Sequence, residues 1–264
     1  MKVAIIGGGV MGEAILAAAL ERGVFAANEV TVCEKLAHRA DQLHGEYGVL
    51  ATASPDAAME DADLVVLSVK PQDITSVHGA IKPDGLLLSI MAGVRIRTII
   101  NEFRHDRIVR VMPNTPVAAK AGMSVWTATP AVSPEQRELT RGLLCAIGRD
   151  LYVEDEKKLD MATAVSGSGP GYVFLFIEAL IEGGVAVGLT RAEAAEMVLQ
   201  TVYGSAVYAQ ESGRNAAELR GLVTSPAGTT AAGLLELEKG AVRASIIEAV
   251  QAAHRRAVDL GGPA

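Results

Sequence analysis

The stretch V-A-I-I-G-G-G-V-M-G, residues 3–12, decides how the chain is read. Val3–Ile6 is a short, largely β-branched run, the pattern of a buried strand. Gly7, Gly9 and Gly12 then fit the spacing G-x-G-x-x-G, with Val10 and Met11 between the last two glycines. An alanine-rich helix over residues 14–22 follows and stops at Gly23. Glycines so spaced permit a tight turn, close approach of a pyrophosphate and tight helix–strand packing. The spacing alone is a weak signal. A strand before it, a helix after it and a second apolar run, Val30–Cys33, complete a βαβ unit and favour a dinucleotide site over a plain glycine-rich turn.

The second strand ends T-V-C-E-K. An acidic residue at this point accepts the ribose hydroxyls and disfavours a 2′-phosphate, and Glu34 suits that role. Lys35, His38 and Arg39 follow and suit a 2′-phosphate, or are ordinary surface charges on the next helix. NADH and NADPH therefore both stay open.

Further units alternate. Ser54-Pro55-Asp56 opens a helix, with Ser as cap and Pro in the first turn. Apolar runs at residues 63–69, 85–90 and 107–112 read as strands, with a helix around 96–103 between the last two. Residues 125–127 and 151–153 supply two more short strands, separated by a helix that Ser133 and Gln136 open as a capping box. Strands alternating with helices predict a doubly wound parallel sheet, whose ligands sit beyond the carboxyl ends of its strands. Val69-Lys70-Pro71, Ala92 and Asn114 all fall at such ends.

After Val153 the pattern turns helical. The expected division is therefore a dinucleotide-binding domain over residues 1–153 and an all-α domain over 154–264. Glu156 lies in a charged helix start and reads as a partner of the helix dipole. Ser166-Gly167-Ser168-Gly169-Pro170 reads as a flexible break before a helix over 172–187 that is apolar nearly all round. Such a helix is buried. A helical half this small could hardly bury it alone, which points to a core shared with a second subunit. Thr190 and Glu193 form another capping box, and Val242–Leu260 is the last helix. Between them lies V-T-S-P-A-G-T-T, residues 223–230, dense in hydroxyls and free of charge. Pro226 and Gly228 make a turn before a helix starting near residue 231. The amides and the hydroxyls of Ser225, Thr229 and Thr230 then either cap the helix or hold a carboxylate.

Bulk properties remove several classes. The chain has 264 residues and a net charge of −7, which argues against nucleic acid as a partner. Its two cysteines, Cys33 and Cys145, have no metal spacing and suit a reducing, cytoplasmic setting. The longest uncharged stretch, residues 161–177, is broken by Gly and Pro and does not read as a membrane span.

Taken together, the chain resembles the pyrroline-5-carboxylate reductases. The resemblance runs end to end and rests on Gly7–Gly12, V-K-P-Q (69–72), M-P-N-T-P (112–116), A-V-S-G-S-G-P-G-Y (164–172) and V-T-S-P-A-G-T-T (223–230). It implies a Rossmann domain followed by an all-helical dimerisation domain, and a homodimer that builds larger rings. It implies NADPH- or NADH-dependent reduction of 1-pyrroline-5-carboxylate to L-proline. By resemblance, the substrate carboxylate rests on the amides of Gly228, Thr229 and Thr230, and the Thr230 hydroxyl serves the ring nitrogen as the catalytic group. Ser225 and Glu156 join the substrate pocket; Val69, Lys70, Pro71, Ala92 and Asn114 line the cofactor. Two positions depart from the family pattern. Ala227 stands where the first of two glycines is usual, and Leu222 where relatives often carry Asn or Gln.

Three rivals remain. A β-hydroxyacid dehydrogenase would carry a catalytic lysine just inside the long apolar helix, and G-P-G-Y-V-F-L-F-I has none. A dinucleotide-sensing regulator would have no reason for the hydroxyl-lined turn. A reductase of another cyclic imine acid differs only in ring size, which sequence does not disclose.

Overall fold

The computed structural model describes residues 1–262. Its eight strands are β1 (Val3–Ile6), β2 (Val30–Cys33), β3 (Leu50–Thr52), β4 (Leu64–Leu67), β5 (Leu86–Ser89), β6 (Ile108–Met112), β7 (Gly122–Ala128) and β8 (Gly148–Tyr152). They form one sheet in the order β3-β2-β1-β4-β5-β6-β7-β8. The first six are parallel; β7 runs antiparallel to β6, and β8 is parallel to β7. The sheet is thus mixed at one edge rather than parallel throughout. The strand after M-P-N-T-P returns through a short 3₁₀ turn, Thr115–Ala119, which is too short for a parallel crossover.

Helices α1 (Val10–Glu21), α2 (Ala37–Tyr47), α3 (Pro55–Met59), α4 (Ile96–Phe103) and α5 (Pro134–Ala146) connect the strands. Side chains alternate between two cores, one on each face of the sheet. Val3 and Ile5 enter one with Leu16, Val66 and Trp126; Ala4 and Ile6 enter the other with Leu67, Leu87 and Ile99. Burial on both faces explains why these strands read as continuous apolar runs.

At the start of α1 the packing depends on an absent side chain. A Cβ on Gly12 would lie 2.2 Å from the Gly7 carbonyl oxygen, and one on Gly7, at φ +108°, 2.8 Å from the Ser68 carbonyl oxygen. Only glycine lets α1 sit this close to β1 and β4.

The remaining helices are α6 (Lys157–Ala162), α7 (Gly169–Ala186), α8 (Arg191–Ser212), α9 (Ala216–Leu222), α10 (Thr229–Lys239) and α11 (Val242–Leu260). By packing, the chain forms one compact unit of Met1–Ser168 with the residues from Ala252 onward, and another of Gly169–Gln251. The packing boundary lies beyond the change of composition at Val153 because α6 is tied to the sheet. Arg110, buried on β6, pairs with Glu156 at 2.7 Å and with Asp160 of α6 at 3.5 Å.

One expectation for this region is corrected. The stretch 166–170 is not a flexible break. A π turn over Thr163–Gly167, with the Ser168 amide on the Thr163 carbonyl at 2.8 Å, leads into α7. Gly167 allows that turn against β6, since a Cβ there would meet Met112 Cε at 2.6 Å. As expected for a core shared with a second subunit, α7 is not buried within the single chain: Phe174 is 62% exposed and Leu175 66%. Of the described residues in the second unit, Ala194 alone is buried, where α7 and α8 meet at Gly184.

Gly12→Ala should destabilise the fold by about 2 kcal/mol, an overpacking cost that a fall in melting temperature of the cofactor-free protein would record. An unchanged melting temperature would mean that α1 can move away from β1 at little cost.

Candidate active site

The strand order reverses between β1 and β4, and this is where open α/β sheets bind ligands. A groove of about 380 Å³ opens there, lined by Gly7, Gly9, Glu34, Lys35, Val69 and Lys70 together with Cys33, Ser68 and Asp73. Its floor is the N-terminus of α1. Gly9 is the N-cap and offers no side-chain hydrogen bond to the first turn, so the amides there are available to an anion. A Cβ on Gly9 would meet nothing within 4 Å. The open side of the glycine loop therefore faces the groove, and its crowded side faces the protein. This fits a pyrophosphate.

Glu34 holds its place through two backbone amides, Gly8 N–H at 3.1 Å and Leu36 N–H at 3.0 Å. Lys35 is exposed and donates to Ser76 Oγ at 3.2 Å across the groove mouth. Burial pushes the Cys33 thiol above its ordinary pKa, so it lines the groove as a neutral group. Lys70 precedes the 3₁₀ helix Pro71–Ser76 and is exposed, as is Pro71. Val10 is exposed on the first turn of α1, and Met11 is half-buried. Ala92 is half-buried in the turn after β5. Asn114 donates to the Ser166 carbonyl at 3.2 Å and to Ser166 Oγ at 3.3 Å, and accepts from Met123 N–H at 2.8 Å. Its amide ties the loop after β6 to β7 and the π turn. Met11, Val10, Pro71, Ala92 and Asn114 do not line this groove.

Glu156 belongs to the same compact unit. One of its oxygens accepts both from Arg110 and from the Ile96 amide at 2.8 Å. It caps α4 from a distance and neutralises a buried guanidinium, which a low-dielectric interior requires. Sequence reading passed over Arg110, although a lone charge within I-V-R-V-M is a signal for a buried partner. Ser68 was also missed. Its hydroxyl donates to the Gly7 carbonyl at 2.7 Å.

The hydroxyl-rich loop lies in the second unit, between α9 and α10. Its turn closes through Gly228 N–H on the Ser225 carbonyl at 3.0 Å. A Cβ on Gly228 would lie 2.4 Å from Ser225 Oγ, so a larger residue here would turn that hydroxyl aside. The Gly228 amide thus bonds within the turn. Gly228 caps α10 without a side-chain bond, and the amides of Thr229 and Thr230 have no partner among the described residues. Ser225 and Thr229 are exposed and Thr230 is half-buried. Ala227 adopts φ +56°, the left-handed region, and Leu222 is exposed at the end of α9. Among the described residues no group of His, Cys, Asp and Glu is arranged to hold a metal.

Known proteins match both halves. A family model described as pyrroline-5-carboxylate reductase dimerisation matches residues 156–260, and one described as NADP oxidoreductase, coenzyme F420-dependent, matches residues 2–93. A pyrroline-5-carboxylate reductase of Synechocystis is 42% identical over 99% of this chain and 98% of its own length. The structure of the Coxiella burnetii pyrroline-5-carboxylate reductase superposes with a TM-score of 0.88 at 34% identity, covering 99% of both chains. That of Plasmodium falciparum, solved with NADP bound, gives 0.88 at 28% identity over 99% of this chain and 98% of its own. With a glycine-rich loop opened towards an anion at the sheet's switch point, and a family match along its whole length, the chain belongs to the pyrroline-5-carboxylate reductases.

Proposed function

We propose that the chain reduces 1-pyrroline-5-carboxylate to L-proline with NADPH or NADH. The observation that carries this reading is the start of α10. Thr229 and Thr230 present free amides and hydroxyls at a helix N-terminus, suited to one carboxylate and one ring nitrogen. Bound at the β1–β4 groove, the reduced nicotinamide cofactor supplies a hydride to the imine carbon. The chain's own residues do the rest. Gly7, Gly9 and the first turn of α1, including Val10, Met11 and Gly12, hold the pyrophosphate. Glu34 and Lys35 meet the adenosine end. Val69, Lys70, Pro71, Ala92 and Asn114 border the cofactor's path along the strand ends. The Thr229 and Thr230 amides fix the substrate carboxylate, with Ser225 beside them. The Thr230 hydroxyl donates to the ring nitrogen and helps deliver its proton. Rate then comes chiefly from proximity and orientation. Glu156 acts in this reading through Arg110 and α4.

The chain works as a homodimer, in which a second copy covers the exposed apolar faces of α7 and α8. Rings of dimers are the finer expectation, as are a cytoplasmic setting and the absence of nucleic-acid and membrane partners. The helical run Lys157–Ala186 is long and apolar enough to cross a membrane. A dimerisation surface accounts for the same apolarity. An alcohol dehydrogenase reading is disfavoured because α7 holds no lysine to act as base. A functional division near residue 154 remains part of this reading, and the match at residues 156–260 supports it.

Oxidation of NADPH or NADH, followed at 340 nm with 1-pyrroline-5-carboxylate, should proceed in step with proline formation; cofactor binding without turnover would support the regulatory alternative. Thr230→Ala should lower kcat/KM by about 10–10³-fold with the fold intact, through loss of one positioned donor. Unchanged kinetics would remove Thr230 from the mechanism. Ala227→Gly should stabilise the protein by about 1 kcal/mol, because a left-handed alanine carries a steric cost that glycine does not. A melting temperature that falls instead would show that the loop gains more from the restricted unfolded chain than it loses in strain.

A further inference from the structure

We propose that Arg39 is a positioning residue for the dinucleotide: by holding the Gly8 carbonyl it aims the Gly9 N–H into the groove. The inference rests on the reading that the pyrophosphate lies at that loop. In a planar trans peptide, the carbonyl of one residue and the N–H of the next point in opposite directions. Arg39 Nε donates to the Gly8 carbonyl at 3.0 Å. Fixing that oxygen on the protein side turns the Gly9 N–H the other way. Gly9 lines the groove, and its amide has no partner among the described residues. The peptide before it is also held at both ends, by Ser68 Oγ on the Gly7 carbonyl and by Glu34 on the Gly8 amide. Without these restraints a glycine peptide can rotate and present its carbonyl oxygen to an anion, which would repel it.

Arg39 is itself anchored. One terminal nitrogen pairs with Glu13 of α1, and the other donates to Gln42 Oε1 at 2.8 Å. Glu13 accepts in addition from the Tyr47 hydroxyl at 3.3 Å. Burial, and then the charge of Glu13, push the Tyr47 pKa up to about 12, so it remains a donor at neutral pH. The guanidinium is therefore engaged on three sides. This is the opposite of a cation waiting for a 2′-phosphate, the role its sequence position suggests. The two roles make different demands. A phosphate ligand matters only to NADPH, whereas a residue acting through Gly8 matters equally to NADH and NADPH.

The test is titration of the full-length protein with NADH and with NADPH, for the wild type and for Arg39→Lys and Glu13→Gln. Lysine keeps the charge beside Glu13 but lacks the planar fork that also reaches Gly8. For Arg39→Lys the Kd of both dinucleotides should rise about tenfold, the loss of one charge-assisted hydrogen bond, with their ratio within about twofold of wild type. The KM for the dinucleotide should rise in parallel, while kcat changes far less. Glu13→Gln keeps Arg39 and loosens its anchor, so it should weaken both dinucleotides equally, by about threefold. It keeps the test decisive if Arg39→Lys does not fold. A loss confined to NADPH would overturn the inference and make Arg39 a phosphate ligand. Unchanged binding of both would overturn it outright. A wild type that binds neither dinucleotide would overturn the reading beneath it.

Discussion

The Gly7 carbonyl oxygen and the Gly12 Cα share a space that excludes any side chain, and much of the first unit follows from that contact. It draws the start of α1 against β1 and β4, and so places a helix N-terminus at the point where the strand order reverses. Orphan amides of a helix end must find partners or water. Here the chain offers none from a capping side chain, and Gly9 leaves the approach open. The anion site is thus a consequence of packing rather than an addition to it. The glycine loop's geometry is fixed by groups outside the loop, Ser68 at the end of β4 and Arg39 from α2.

The two units reach order in different ways. In the first, alternation along each strand feeds two closed cores, and even a buried guanidinium on β6 has carboxylate partners from the chain's own Glu156 and Asp160. Losing either carboxylate would leave charge in a poor dielectric, so α6 is held to the sheet by electrostatic need as well as by packing. The second unit has no comparable interior, and its α7 carries phenylalanine and leucine outward. Helices with so little internal burial cannot offset their conformational entropy alone. A dimerisation domain resolves this, because a second copy of the same surface supplies the missing core.

What the sequence discloses follows the range of the interaction involved. The capping boxes at Ser133 and Thr190 were legible because both partners lie within one turn. The span of α4 and that of α11 were legible from periodicity and flanking residues. β3 was not, since three residues with two exposed carry no pattern. The antiparallel return of β7 depends on the length of one turn, and the helical course of 163–168 on a π turn that the residue types there do not announce. In the hydroxyl-rich loop the residue types were legible and their division of labour was not. The Gly228 amide, read as a donor to a ligand, bonds to the Ser225 carbonyl and closes the turn. Ala227 shows the same limit, because the left-handed φ is set by how the turn closes and not by the residue that occupies it.

Charge just after β2 illustrates why counting residues misleads. E-K-L-A-H-R reads as one acid against three basic or titratable groups. In the fold these groups do separate work. Glu34 spends one oxygen on each of two backbone amides, so it enters the groove as a fixed acceptor with its remaining lone pairs directed by those bonds. Arg39 turns inward to Glu13 and to Gly8, and its charge is neutralised before any ligand arrives. Lys35 alone of the pair that follows β2 reaches across the groove mouth, held to Ser76. From this segment the groove therefore receives one oriented carboxylate and one bridging lysine, beside Lys70 and Asp73 from beyond β4, while the strongest base in the segment holds a peptide plane.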